Sequence, residues 1–294
     1  MQKNKMIIPH AFALYNVIVW GTTFISTKVL LESFHPVAIL VYRFIIGYIA
    51  LWLMKPRVLK FQGLIKEFWY FLAGLLGVTI YFLGENIALT MSPTGNVSII
   101  VSMAPLFTAF AAFYFLKTKK PGLYFWIGFA VAMVGIILIN VEGTGFSAAH
   151  LKGDALALVA AIVWGLYGVV LRGGVKEEED VIIRTRRIFF YGLLTMIPCV
   201  LLMDVKFAPD KIMVPVNLWN LLFLGVMATA AAYATWNYAV EKLGVMKSSV
   251  YIYGIPVVTI VAAAILIGEK ITVSAVLGCI LTTLGLIISE KKKA

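Results

Sequence analysis

Apolar residues run through this chain in ten blocks of about 20 residues each, parted by polar connections. The blocks fall at roughly 10–30, 36–54, 68–90, 93–116, 122–141, 153–172, 184–203, 217–240, 246–267 and 271–289. A helix of that length crosses the hydrocarbon core of a bilayer, and the connections are mostly short. The pattern predicts an all-α membrane protein whose ten transmembrane helices form one bundle. The first block follows Lys3 and Lys5, as a signal peptide would. It lacks a short apolar core ending in a small-residue cleavage site, so it is read as part of the bundle.

The pattern also repeats. Trp20, Gly21, Lys28 and Arg43 recur 144 residues later as Trp164, Gly165, Arg172 and Arg187. Asn86, Ala88 and Pro105 recur 151 residues later as Asn237, Ala239 and Pro256, and Gly128 and Gly135 recur as Gly278 and Gly285 at an offset of 150. Such steady offsets indicate duplication, with one repeat over 10–141 and a second over 153–289. Each repeat holds five helices, an odd number, so the second must lie upside down relative to the first.

Composition removes the other classes. Hydrophobic residues make up 62% of the chain and charged residues 13%, with a mean hydropathy of +0.95. A soluble domain carries about 25% charged residues. The net charge of +11 sits in short clusters between apolar runs, which argues against a nucleic-acid surface. Lys and Arg cluster on the cytoplasmic side of a membrane, and repeat-equivalent connections here carry opposite biases. Lys55, Arg57, Lys60 and Lys66 follow block 2, whereas Lys206 and Lys211 after block 7 are balanced by Asp204 and Asp210. Lys117, Lys119 and Lys120 follow block 4, whereas Glu269 and Lys270 follow block 9. Glu32 follows block 1, whereas Arg172, Lys176 and Arg184 flank the link after block 6. With Lys291, Lys292 and Lys293 at the end, both termini are placed in the cytoplasm. The acidic run 177–180 reads as a solvated cytoplasmic loop. Cys199 and Cys279 fall inside apolar blocks and His10, His35 and His150 lie at or near loops, so no disulfide, metal or cofactor is expected.

Ionisable groups inside a membrane are costly and mark functional candidates. Arg43 and Glu85 both lie on the order of 10 Å below the outer surface, at 1.5 Å per helical residue. Their similar depth and opposite sign suggest a pair, acting as a structural lock, a gate, or a substrate or proton site. Arg187, the equivalent of Arg43, lies nearer the cytoplasm, where a lipid headgroup or the acidic loop is its expected partner. Trp20, Tyr81, Asn86, Trp164, Tyr167, Tyr233, Trp236 and Asn237 are candidate walls of a central cavity. Pro105 and Pro256 break blocks 4 and 9 at matching positions, which points to a midplane site and adds Ser102 and Tyr253 to the candidates. Gly128, Ala132 and Gly135, with Gly278, Thr282 and Gly285, read as tight helix packing.

Several of these features resemble the EamA family of the drug/metabolite transporter superfamily. They are W-G-T-T-F-I-S-T-K over 20–28, Y-R-F around Arg43, N-I-A-L-T over 86–90, K-G-D-A-L-A-L over 152–158, W-G-L-Y over 164–167, N-Y-A-V over 237–240 and G-E-K over 268–270. The likeness extends over nearly the whole chain. It departs at 117–120, where many relatives carry the Gly-Glu found here at 268–269. The resemblance implies a ten-helix bundle, alternating access through a central cavity, and transport of amino acids or related metabolites, in a bacterial inner membrane. The expected partners are a small-molecule substrate and the bilayer, the chain acting as a monomer or homodimer. An alternative is a proton-coupled exporter of hydrophobic cations, with Glu85 exchanging cation for proton. A lipid enzyme is remote, because the blocks hold neither a His nor a carboxylate cluster.

The charge pattern makes a direct prediction. In a background without Cys199 and Cys279, cysteines placed over 55–67 and 172–184 should react with an impermeant maleimide only after cells are opened. Cysteines over 204–215 should react from outside. Labelling of position 60 in intact cells would refute the assignment.

Overall fold

The computed structural model describes residues 2–58, 60–92, 94–140, 150–175, 180–267 and 272–290. The expected basic groups Lys176 and Lys291 to Lys293, the acidic residues 177–179 and the G-E-K at 268–270 lie outside the described residues. The described residues are helical and contain no strand. The first half comprises α1 (Gln2–Leu31), α2 (Pro36–Met54), α3 (Leu64–Met91), α4 (Thr94–Val101), α5 (Ala104–Leu116) and α6 (Leu123–Asn140). The second comprises α7 (Leu151–Gly173), α8 (Val181–Leu202), α9 (Pro215–Leu243), α10 (Val245–Val250), α11 (Ile255–Ile267) and α12 (Val273–Glu290).

Seven of these helical runs are long and apolar enough to cross a membrane, the run over Val245–Leu266 being counted as one. Three shorter apolar helices, Ala104–Phe115, Leu123–Leu138 and Val276–Ser289, occupy the remaining blocks. Block 4 falls short for a physical reason. Its backbone breaks at Ser102 and Met103, just before Pro105, so it forms two helices.

Local chemistry sets the helix ends. His35 caps α2, its Nδ1 accepting from the Val37 amide at 3.2 Å, and Pro36 opens the helix where no amide hydrogen is needed. Asp180 caps α8 by accepting from the Ile182 amide at 2.9 Å. Gly244, at φ +86°, turns α9 directly into α10 in a backbone conformation that other residues adopt only with strain. Both α3 and α9 contain a wider π-helical stretch at matching places, Leu75–Ile80 and Phe223–Ala231. Such stretches leave carbonyls without their usual partners. Tyr233 OH donates to the Gly77 carbonyl, and Trp20 Nε1 donates to that of Ala228 at 3.1 Å, its repeat equivalent.

Packing follows the repeat. α1 lies against the C-terminal half of α9 and against α11, and α7 lies in the same way against α3 and α5. α2 packs on its own equivalent α8, and α6 on its equivalent α12. These self-paired helices run antiparallel. A Cβ on Gly135 would meet Gly278 O at 2.6 Å, and one on Gly285 would meet Gly128 O at 2.6 Å. Likewise Phe44 and Gly47 of α2 lie against Phe189 of α8, whereas Lys55, just past the end of α2, reaches Asp180 before α8.

The α6–α12 contact has no room for side chains at its glycines. A Cβ on Gly135 would sit 2.5 Å from both Thr282 N and Oγ1. Gly135→Leu should therefore cost about 1–3 kcal/mol through overpacking, read as a lower thermal midpoint in detergent. Gly122→Leu, at a position with no neighbouring atom within 4 Å, should leave the midpoint unchanged. Equal effects of the two changes would rule out the close helix contact.

Candidate functional site

The two helix breaks meet at one cavity. α4 ends at Val101 and α5 starts at Ala104; α10 gives way to the 3₁₀ turn Tyr251–Gly254 and α11 starts at Ile255. Pro105 and Pro256 each occupy the first turn of the helix that follows the break. This small cavity lies beside them, and Val101, Ala104, Ile252 and Ile255 form part of its wall. Ile252 and Ile255 follow Val101 and Ala104 by the same offset that relates the two prolines. The rest of the wall is Trp20, Thr23 and Phe24 of α1, Arg43 of α2, Tyr81, Phe82 and Glu85 of α3, and Trp164 of α7. The repeat-equivalent rings Trp20 and Trp164 touch edge to face, with centroids 5.3 Å apart.

Two charged side chains face this cavity. Arg43 is 1% exposed; its Nε donates to Thr229 Oγ1 at 2.9 Å, and its guanidinium lies 4.3 Å from the Phe82 ring centroid. Its Nη2 has no hydrogen-bond partner. Glu85 is 5% exposed and lies one helical turn after Tyr81, which shares the wall. The two charges feel each other's field, but among the described residues no ion pair joins them.

Of the residues singled out from sequence, Trp20, Arg43, Tyr81, Glu85 and Trp164 line the cavity. The others do not. Tyr167, Tyr233 and Trp236 are fully or nearly fully buried, packed against Trp164 with ring centroids 5.3, 6.1 and 6.0 Å from it. Tyr167 OH donates to Asn237 Oδ1 at 2.7 Å, and Asn237 Nδ2 donates to Thr185 Oγ1 at 2.9 Å. Asn86 Nδ2 ties α3 to the Pro36 carbonyl at 3.2 Å. Ser102 returns its hydroxyl to the Ser98 carbonyl of its own helix at 2.7 Å. Tyr253 belongs to a separate apolar cluster with Phe125, Ala132 and Ile136. These groups are held in structural hydrogen bonds or packing, not at the cavity surface.

Residue type gave no hint of Val101, Ala104, Ile252 or Ile255, although their repeat offset beside the prolines would have found them. Glu67 was also missed. Its carboxylate accepts from Arg187 Nη2 at 2.5 Å, Arg187 Nε at 2.9 Å and Tyr191 OH at 2.7 Å. Among the described residues, Arg187 is thus paired with a carboxylate in the first turn of α3. Glu67 is buried and Arg187 largely withdrawn from water, so each needs a fixed countercharge.

Further ion pairs gather at this same end of the bundle. Lys55 Nζ reaches Asp180 at 2.6 Å, Arg184 pairs with Glu241, and Arg186 donates to the carbonyls of Lys55 and Arg57. Burial pushes the Asp180 carboxyl up, but the Lys55 hydrogen bond and the backbone amides of Ile182 and Ile183 outweigh it and hold the group below its usual range. Among the described residues, no group of three or more His, Cys, Asp or Glu side chains could hold a metal ion.

Comparison with known proteins agrees with this architecture. A sequence model described as the EamA-like transporter family matches residues 7–141 and again 151–290. An uncharacterized transporter of Archaeoglobus fulgidus is 27% identical, over 94% of this chain and 96% of its own length. A protein of Streptantibioticus cattleyicolor named "Probable terminal-alkyne amino-acid exporter" is 23% identical, over 94% of this chain and 91% of its own. A protein crystal structure superposes with a TM-score of 0.74 at 19% identity, covering 96% of this chain and 97% of that one, and so shares the fold. The chain belongs to the EamA-like transporter family. It is an integral membrane transport protein for a small molecule, not an enzyme.

The Arg187–Glu67 pair yields a test of its own. Removing one partner strands a buried charge, so Glu67→Gln and Arg187→Gln should each cost roughly 3–5 kcal/mol. The double variant should recover most of the loss, because neither charge is left behind. Thermal or denaturant midpoints of the four proteins in detergent would show it, and additive losses would contradict a coupled pair.

Proposed function

We propose that this chain is a secondary transporter of small amphipathic metabolites, amino acids foremost, working by alternating access through the central cavity. The observation that carries this reading is the cavity's position. It lies where the two repeats meet, beside matched helix breaks and between Trp20 and Trp164. Its wall combines aromatic and aliphatic surface with one cation and one carboxylate, which suits a ligand with an apolar body and charged ends. The relative named as an amino-acid exporter supports the same substrate class. In this proposal all ten blocks span the membrane as two inverted five-helix repeats, with both termini in the cytoplasm of a bacterial cell. The antiparallel pairing of α2 with α8 and of α6 with α12 supports the inversion.

A second reading, proton-coupled export of hydrophobic cations, draws on Glu85 in an aromatic wall. Arg43 in the same wall weighs against it by repelling a cation.

The test is counterflow in proteoliposomes across a panel of amino acids and organic cations, with and without a pH gradient. Saturable exchange of amino acids is the expected result, and exchange of cations alone would favour the second reading. The breaks give a sharper prediction. Pro105 and Pro256 sit where a helix needs no amide hydrogen, so Pro105→Ala or Pro256→Ala should fold normally. Each restores a donor that can extend the helix across the break, and transport should fall by roughly tenfold or more. Unchanged transport in both variants would make the breaks passive.

A further inference from the structure

Arg43 poses a physical problem that its neighbours do not solve. Its guanidinium is buried, one nitrogen is used by Thr229, Nη2 has no hydrogen-bond partner, and the residue forms part of the cavity wall. A buried donor left unsatisfied costs free energy, and more so when it is charged. Glu85 shares the cavity wall, and among the described residues it makes no ion pair with Arg43. A direct pair would have consumed both charges. Held apart, each keeps capacity for a ligand.

Among the described residues, Arg43 and Glu85 are the only formally charged side chains in the wall, so their formal charges balance. That balance selects among ligands. A cation beside Glu85 would leave the guanidinium uncompensated, and an anion on Arg43 would do the same to the carboxylate. A neutral apolar ligand would satisfy neither. A zwitterion satisfies both while leaving no net charge in the bundle. We infer that Arg43 and Glu85 together make this cavity selective for zwitterionic α-amino acids with apolar side chains. The carboxylate docks on the Arg43 guanidinium, the ammonium on Glu85, and the side chain lies against Trp20, Phe24 and Trp164. The inference rests on the transporter reading and adds to it the residues that set specificity.

Three probes of similar shape separate the terms: L-phenylalanine, 3-phenylpropionate (no amine) and 2-phenylethylamine (no carboxylate). Binding is measured by calorimetry on the full chain in nanodiscs, and L-phenylalanine exchange is measured in proteoliposomes. In the parent, the zwitterion should bind roughly tenfold or more tightly than either analogue. Arg43→Gln should lose that advantage and shift preference to the amine. Glu85→Gln should shift preference to the carboxylate. This crossing of preferences cannot arise from misfolding, which weakens all three ligands together. Arg43→Lys and Glu85→Asp, which keep the charges, should keep the parental order. Equal binding of the three probes by the parent, or an unchanged order in both Gln variants, would overturn the inference. If the parent exchanges L-phenylalanine and both Gln variants do so normally, the inference fails and the transporter reading stands. If the parent neither binds nor exchanges any amino acid, both fail.

Discussion

A polar group cut off from water must find its partner inside the protein, and most irregular features of this bundle follow from that requirement. The π-helical stretches of α3 and α9 release carbonyls, and aromatic side chains from other helices take them up: Tyr233 at Gly77 and Trp20 at Ala228. Asn237 is held between Tyr167 and Thr185, and Thr79 bonds across to the Gly192 carbonyl. These bonds cross from one repeat to the other or bind helices within one. They hold together a bundle whose apolar faces are matched equally well by lipid. Nη2 of Arg43, a residue of the cavity wall, is an exception.

Much of this was legible in the sequence, for reasons that differ by residue. The helix pattern and the duplication are carried by hydropathy and by fixed offsets, and the packed halves repeat those offsets in their contacts. Trp20, Arg43, Tyr81, Glu85 and Trp164 stood out because large aromatic or charged groups within a span demand an explanation. Tyr167, Tyr233, Trp236 and Asn237 stood out equally, yet they pack behind the cavity wall. Repeat logic gave the two halves the same status, but antiparallel pairing sends equivalent residues to opposite sides of the tryptophan contact. Which side is open is a property of the packed conformation and leaves no trace in residue type. Glu67 was hidden differently. It follows a basic connection and looks like a solvated residue until α8 brings Arg187 against it.

The charged end of the bundle and the cavity differ in how their charges are used. At Glu67, Asp180 and Glu241 every carboxylate is matched to a cation at bonding distance or closer, so α2, α3, α8 and α9 are fastened there. In the cavity one cation and one carboxylate share a space without closing on each other. The same chemistry acts as a clasp where it is paired and as a receptor where it is held apart.

The two halves, finally, are alike in form but not in content. Glu85 corresponds by the repeat to Trp236, and Arg43 to an arginine already engaged by Glu67. If the halves exchange roles during a transport cycle, the opposite-facing vestibule presents an indole where this one presents a carboxylate. Substrate then meets unequal affinities on the two sides of the membrane. Detailed balance forbids such inequality from setting the final gradient, which belongs to the driving force alone. It sets instead the concentration at which each side saturates, and so makes one direction of flux the slower to fill. Two identical halves would work as a symmetric turnstile, and a carboxylate carried by one copy alone is enough to end that symmetry.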